Sequence, residues 1–328
     1  MPGPSRAVGL QLAGIADARH TREFRECTTV TDSARRFAAL GRTLSAELGT
    51  TVRDRSPTPV HGGSINDCYR WETGRGPVFV KLAGERGWAM LEAEAAGLRE
   101  LARAEAVRVP QVLALGATGE SAYLALEWIE FASATHAAES RLGEQLARQH
   151  RLRAERFGWE RDNTIGSTPQ QNAWSEAWPA FFREQRLRYQ LELAHERGYR
   201  GRLQARGAEL LERLGGFFET HRPVPSLLHG DLWGGNWAAD ERGSPVIFDP
   251  AVYYGDREAD IAMTRLFGGF GAEFYAAYAA AWRLDSGAPQ RVALYNLYHV
   301  LNHLNLFGGS YARQAESMID RLLSELGH

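Results

Sequence analysis

The sequence predicts an α+β fold in two parts, a small strand-rich lobe followed by a larger, mainly helical one. Three observations carry this. Strand-like runs at Val78–Leu82, Val112–Leu115 and Tyr123–Ile129 cluster in the first 130 residues, with a helical pattern over 87–103 between them. From Ser140 the apolar spacing turns helical and stays so, with Leu142, Leu146 and His150 on one face. Strands segregated from helices belong to α+β architectures rather than alternating α/β ones. The third observation is a tight glycine-bearing stretch, His229 to Asp249, which interrupts the helical half.

Composition narrows the classes. With 328 residues, the chain is long enough for one large domain or two modest ones. Lys+Arg 38 against Asp+Glu 40 gives a net charge of −2, so no basic balance points to nucleic acid. Two cysteines, Cys27 and Cys68, are too few for a disulfide framework and agree with a cytoplasmic protein. No apolar run is long enough to span a membrane. Residues 1–28 are rich in Arg but carry only a weak apolar stretch, and read as a loosely ordered extension. The expected division is 29–129 for the first lobe and 130–328 for the second.

Taken in order, Asp32 is placed to cap a helix from Ser33 to about Leu48, with Phe37, Leu40, Leu44 and Leu48 on one face. Pro57 and Pro59 break regular structure. Gly62-Gly63-Ser64 then lies between two strand-like segments. A glycine pair there either lets backbone N–H groups approach a phosphate or makes a plain turn. Lys81 sits inside the apolar run Val78–Leu82, and a charge in such a strand needs a partner or a task. The helix that follows offers Glu92 and Glu94, roughly 200° apart on a helical wheel. Leu91, Ala95 and Leu98 mark its packed side, and Glu94 adjoins it, so Glu94 is the expected partner. The third strand ends in Glu127-Trp128-Ile129-Glu130, where backbone groups could meet an adenine or where a strand simply ends. An irregular segment over Asp162–Asn172 and a long helix from about Trp174 to Glu196 complete the run up to the central stretch.

That stretch reads HGDLWGGNWAADERGSPVIFD. Asp231 and Asn236 share a loop, and an apolar strand delivers Asp249. In kinase-fold enzymes a loop Asp handles the acceptor hydroxyl, an Asn downstream binds Mg²⁺, and a second Asp after a short strand bridges metal to phosphates. Phosphoryl transfer needs positioning and neutralisation of phosphate charge. Mg²⁺ takes hard oxygen ligands, usually one or two carboxylates plus substrate phosphates. One carboxylate for the hydroxyl, and one amide plus one carboxylate for metal, meet both needs. After it, Asp260 is placed either to brace the catalytic loop or to favour the N-terminus of the helix Ile261–Phe267. The tail is helical through Leu323, with Asn302, His303 and Asn305 grouped. A lone helix His is more often structural than a substrate contact.

With these residues in view, the chain resembles the fructosamine kinase / ketosamine-3-kinase family over about residues 32–325. The blocks GGSIN (62–66), VFVK (78–81), LARQHR (146–151), DNTIGSTPQQN (162–172), HGDLWGGNW (229–237), YYGDREADIAM (253–263) and LNHLNLFG (301–308) carry the likeness. The resemblance implies a two-lobed protein-kinase-like fold, shared with aminoglycoside and choline kinases, and use of ATP with Mg²⁺. It implies Asp231 as the group accepting or orienting the sugar hydroxyl, with Asn236 and Asp249 on Mg²⁺. It implies Lys81, paired to Glu94, on the α/β phosphates, and Gly62, Gly63 and Ser64 over the phosphates. Glu127 and Ile129 would meet the adenine, Trp233 would stack on the ketosamine sugar, and His303 is a further substrate candidate.

The substrate implied is a fructosamine or ribulosamine on a protein or free amine, phosphorylated at the 3-hydroxyl so that the adduct falls apart and the amine is freed. A cytoplasmic monomer or weak dimer is expected, without nucleic-acid or membrane partners. An aminoglycoside- or choline-type kinase is the alternative, and a nucleotide-binding pseudokinase a further one. Three positions depart from the family pattern. Gly234 stands where many members have Ser, Asp256 where His is common, and Ser64 where some relatives carry a redox-sensitive Cys.

Overall fold

The computed structural model describes residues 30–52, 57–60, 66–84, 87–119 and 121–327. The expectations for residues 1–28 and for Gly62, Gly63 and Ser64 lie outside them. The described residues form two compact units: one holds those up to Ala95 with Pro110–Ser133, the other holds Ala96–Val109 and those from Ala134 onward.

The first unit is an antiparallel sheet with helices. Its elements are α1 (Val30–Glu47), β1 (Thr58–Pro59), β2 (Asp67–Thr73), β3 (Gly76–Gly84), α2 (Trp88–Ala102, which crosses the division), β4 (Val112–Thr118), β5 (Ser121–Glu127) and β6 (Phe131–Ala132). Five strands run in the order β1-β2-β3-β5-β4. Helix α1 begins at Val30, so Asp32 lies inside it instead of capping it. Strand β5 stops at Glu127, two residues short of Ile129. Side chains alternate across a strand. Val78, Val80 and Leu82 of β3 therefore share one face, packing with Leu40, Leu44 and Trp71. Lys81 is turned to the opposite face. On α2, Leu91, Ala95 and Leu98 are all buried.

The second unit is mainly helical, with short strands where the polypeptide must turn sharply. It contains α3 (His136–Gln149), β7 (Asn163–Ile165), β8 (Thr168–Gln170), α4 (Trp178–Phe182), α5 (Tyr189–Glu196), α6 (Arg202–Arg213), β9 (Ser226–Leu228), β10 (Trp237–Asp240), β11 (Pro245–Ile247), β12 (Tyr253–Gly255), α7 (Glu258–Leu266), α8 (Ala272–Ala281), α9 (Ala288–Phe307) and α10 (Tyr311–Glu325). The expected irregular stretch Asp162–Asn172 contains the β7–β8 hairpin. The long helix starts at Trp178 rather than Trp174, because Ala177 is extended and Pro179 occupies the first turn, a position where proline is favoured. It continues through a π-helical stretch, Arg183–Arg188, into α5.

Two pairings set the central stretch. β9 pairs antiparallel with β12, Leu228 opposite Tyr253. β10 pairs with β11, Trp237 opposite Ile247. The chain thus leaves β9 through His229–Asp231, makes the β10–β11 hairpin, passes Asp249 and returns along β9 as β12. Trp178 wedges against this turn, with its ring stacked on Tyr253 and its Nε1–H donated to the Tyr295 hydroxyl at 2.9 Å. No helix among the described residues is long and apolar enough to cross a membrane.

Candidate active site

β9 is fully buried, and its end places His229 and Asp231. The Ala251 N–H donates to the His229 carbonyl at 2.8 Å, and the Phe248 N–H to the Asn236 carbonyl at 3.1 Å. These bonds bring the 229–236 and 248–251 segments together. Gly230 has φ 83°, and a Cβ there would lie 2.0 Å from the Ala251 carbonyl oxygen, so only glycine allows this approach. Asp249 is one of two described non-glycine residues with positive φ, at 57°. Such strain persists where the surroundings hold it, often at functional positions.

Asn236 Nδ2 donates to the Asp231 carbonyl at 2.9 Å and to Asp231 Oδ2 at 3.3 Å. Its amide oxygen is therefore turned away from Asp231. That oxygen and the Asp249 carboxylate are hard donors of the kind Mg²⁺ takes. Asp231 keeps an accessible edge while protein surrounds it elsewhere. Burial pushes its carboxyl up to about 7, and the charges of Asp249 and Asp260 push the same way, against the hydrogen bond from Asn236. A carboxyl with that affinity for a proton is suited to receive one from a hydroxyl.

His229 orients the loop from beneath. Its Nδ1 accepts the Asp231 N–H at 3.3 Å, so Nε2 carries the proton and donates to the Phe248 carbonyl at 3.0 Å. Burial holds its pKa below the usual value, which keeps the ring neutral. Asp260 accepts the backbone N–H of His229 at 2.8 Å and of Gly230 at 2.9 Å. It also meets His150 Nε2 at 3.1 Å, and His150 Nδ1 meets the Tyr278 hydroxyl at 2.8 Å. Arg257 donates to that same hydroxyl at 3.0 Å. Burial alone would raise Asp260, but hydrogen bonds from His150 and Gly230, with the nearby histidine rings, hold it below the carboxylate range. Of the two sequence readings of Asp260, the loop brace is the contact observed, although the residue also lies in the first turn of α7.

A second network supports the Asp249 side. Gln170 Nε2 donates to the Ala251 carbonyl at 3.1 Å and to Asn163 Oδ1 at 2.8 Å. Asn163 Nδ2 donates to the Val252 carbonyl at 2.8 Å. Asn172 donates to Asn163 at 2.9 Å and accepts from Arg186 at 2.7 Å. The Arg186 guanidinium lies 4.1 Å from the Tyr253 ring centre. Arg186 stands on the π-helical stretch, a distortion frequent at functional sites.

In the first unit, Lys81 Nζ donates to Glu94 Oε1 at 2.7 Å, with both side chains about nine-tenths buried. The Glu127 N–H donates to the Gln111 carbonyl at 2.9 Å, and Ile129 lies two residues past the end of the strand.

The two substrate candidates are joined by a third ring. Trp233 lies 6.4 Å from Phe267, edge to face, and Phe267 lies 4.9 Å from His303. Asp256, where the family pattern has His, accepts from Tyr295 at 2.6 Å, caps the Glu258 N–H at 3.1 Å and meets His221 Nε2 at 2.7 Å. Helix α7 starts at Glu258, one turn before the expected Ile261, directly after this Asp256 contact. Sequence reasoning missed His150, Gln170 and Arg186 as supports of this site. The one signal was polar residues inside otherwise buried blocks.

The family model described as fructosamine kinase matches residues 37–325. The chain belongs to the fructosamine kinase family. It is 43% identical over 288 residues to a protein of Synechocystis sp. assigned as a ketoamine kinase, covering 88% of this chain and 97% of the relative. It is also 43% identical over 271 residues to the chloroplastic protein-ribulosamine 3-kinase of Arabidopsis thaliana, covering 81% and 82%. A crystal structure from Haemophilus somnus, of a protein assigned as a fructosamine-3-kinase, superposes with a TM-score of 0.80 at 27% identity, covering 88% of this chain and 97% of the other. The family's fold is the protein-kinase-like α+β class that the sequence predicts, and its chemistry is phosphoryl transfer to a hydroxyl.

Proposed function

We propose that this fructosamine kinase family member phosphorylates the 3-hydroxyl of ketosamines, ribulosamine or fructosamine adducts on proteins or free amines, with ATP and Mg²⁺. The observation that carries the reading is Asp231 hydrogen-bonded to Asn236 on one loop, with Asp249 returned beside it by the β9–β12 pairing. Its similarity to a protein-ribulosamine 3-kinase supports the choice of acceptor.

In this reading Asp231 accepts the hydrogen bond of the sugar hydroxyl and takes its proton as the hydroxyl oxygen bonds to the γ-phosphorus of ATP and the bond to the departing ADP breaks. Asn236 and Asp249 would hold Mg²⁺, which would supply neutralisation of phosphate charge. Lys81, held by Glu94, binds the nucleotide phosphates, with backbone N–H groups of Gly62, Gly63 and Ser64 over them and backbone groups of Glu127 and Ile129 at the adenine. Trp233 lays its face on the sugar's C–H surface, and His303 lines the same side. Phosphate at the 3-position, near the carbonyl, is expelled by elimination after enolisation, and water then hydrolyses the resulting imine to free the amine. The reaction is a cytoplasmic deglycation carried out by a monomer or weak dimer.

The test is ATP consumption across ribulose-, erythrulose- and fructose-derived lysine adducts, with aminoglycosides and choline alongside. Turnover of at least one lysine adduct, with none of the antibiotics or choline, supports the reading. Turnover confined to aminoglycosides or choline overturns it.

A further inference from the structure

The aromatic chain that begins at Trp233 does not stop at His303. Phe307 lies 5.5 Å from His303, ring to ring, and is 64% exposed, while Phe267 is 44% exposed. Among the described residues the other exposed large apolar side chains, Trp88 and Trp174, are both less open than these two. Two exposed rings that flank one shared neighbour, His303, form a contact surface rather than a scatter of surface hydrophobes.

This surface is built into the site. The Trp233 N–H donates to the Asp231 carbonyl at 3.2 Å. Gly234, the next residue, packs backbone to backbone against Gly268 and Gly269, directly after Phe267. A Cβ on Gly269 would lie 2.7 Å from the Gly234 Cα. Trp237 Nε1 donates to the Gly269 carbonyl at 3.2 Å. The backbone that follows Phe267 is thus clamped to the loop that carries Trp233. The departure of Gly234 from Ser has a physical reason here, since a side chain would meet the Gly268 carbonyl at 3.0 Å.

Resting on the ketosamine reading, we propose that Phe307, with Phe267, forms a second subsite that takes the carrier of the sugar, the lysine side chain and flanking backbone of a polypeptide. The occupant follows from the chemistry and the openness. Trp233 and His303 are the residues assigned to the sugar, whereas Phe307 lies beyond His303 in the ring series and is open to solvent. Aliphatic methylenes and peptide planes pack on aromatic faces, and the protonated secondary amine joining sugar to lysine gains from nearby π-faces. His303 does not oppose that cation. Its Nδ1 donates to the His299 carbonyl at 2.8 Å, and burial keeps its pKa below the usual value. A rim this open suits a long carrier that continues into solvent better than a small amine that ends at the sugar.

The test compares two acceptors, a ribulosamine on lysine within a short peptide and the same ribulosamine on ethylamine, in wild type and Phe307→Ala. The exposed position of Phe307 makes misfolding of the variant a small concern, and its melting temperature checks it. The wild type should show the lower KM for the peptide adduct. Phe307→Ala should raise that KM at least fivefold while KM for the ethylamine adduct, KM for ATP and kcat stay within twofold. Phe307→Trp should keep the wild-type preference. Equal KM changes for both adducts, or none, overturn the carrier subsite while leaving the ketosamine reading standing. Failure of the wild type to phosphorylate either adduct overturns both.

Discussion

Asp260 fixes the backbone of Gly230, its carboxylate accepting that glycine's N–H at 2.9 Å from the first turn of α7. The same carboxylate takes the His229 N–H and meets His150, so one buried charge holds three donors. Hydrogen bonds to charged groups contribute about 1.5–3 kcal/mol each. Asp260→Asn should therefore lower kcat at least about tenfold and reduce the melting temperature, with ATP affinity changed little. His150→Ala should act in the same direction, and the double variant should fall short of the summed losses because the two share one network. Strictly additive losses in stability and kcat would remove the link between them.

Gln170 offers a comparable test on the side of the site that carries Asp249. Gln170→Ala leaves the Ala251 carbonyl without its 3.1 Å donor and interrupts the bridge to Asn163. An unsatisfied buried acceptor costs about 1–3 kcal/mol. Because the supported segment carries Asp249, the apparent affinity for Mg²⁺·ATP should weaken several-fold, with acceptor KM little changed. A stability loss with both KM values intact would make the network a scaffold only.

His221 gives a pH-dependent stability. Nε2 meets Asp256 at 2.7 Å and Nδ1 meets Asp285 at 2.8 Å, so both nitrogens carry protons. Burial opposes the charge, but Asp256 and Glu258 outweigh it and raise the pKa above the ordinary value. A raised folded pKa stabilises below the unfolded value, near about 6.5, and the gain is lost as pH rises through the folded pKa. The melting-temperature gap between wild type and His221→Gln should be widest at or below about pH 6 and shrink steadily toward about pH 9. A gap that is flat or widens with pH would contradict the charged pair.

Lys81 and Glu94 should act as a unit. Removing one partner of a buried pair costs about 3–5 kcal/mol because the other charge is left uncompensated. Lys81→Met and Glu94→Gln should each lower kcat/KM strongly, and the double variant should be little worse than the worse single. Simple addition of the two losses would separate them.

The Lys81–Glu94 contact was legible because two local periods agree. Strand alternation turns Lys81 away from Val78, Val80 and Leu82, and the helical wheel puts Glu94, rather than Glu92, beside the packed side. The Asp231–Asn236–Asp249 cluster was legible because loop and short strand are contiguous. The supports were not. Gln170 and Ala251, or His150 and Asp260, are far apart in sequence, and strands of three residues such as β7 and β8 are too short to show a period. The true starts of α4 and α7 escaped because local backbone features, Pro179 in the first turn and the turn at Asp256 whose carboxylate takes the Glu258 N–H, are not visible in apolar spacing.

The most direct measurement is turnover of a ribulosamine–lysine adduct by Asp231→Asn, taken beside its affinity for Mg²⁺·ATP. The substitution keeps shape and removes the proton acceptor. The account predicts that kcat falls at least about a thousandfold, roughly 4 kcal/mol, while Mg²⁺·ATP affinity stays within a few-fold. Turnover close to wild type, or loss of nucleotide binding in step with turnover, would contradict Asp231 as the group that receives the hydroxyl proton.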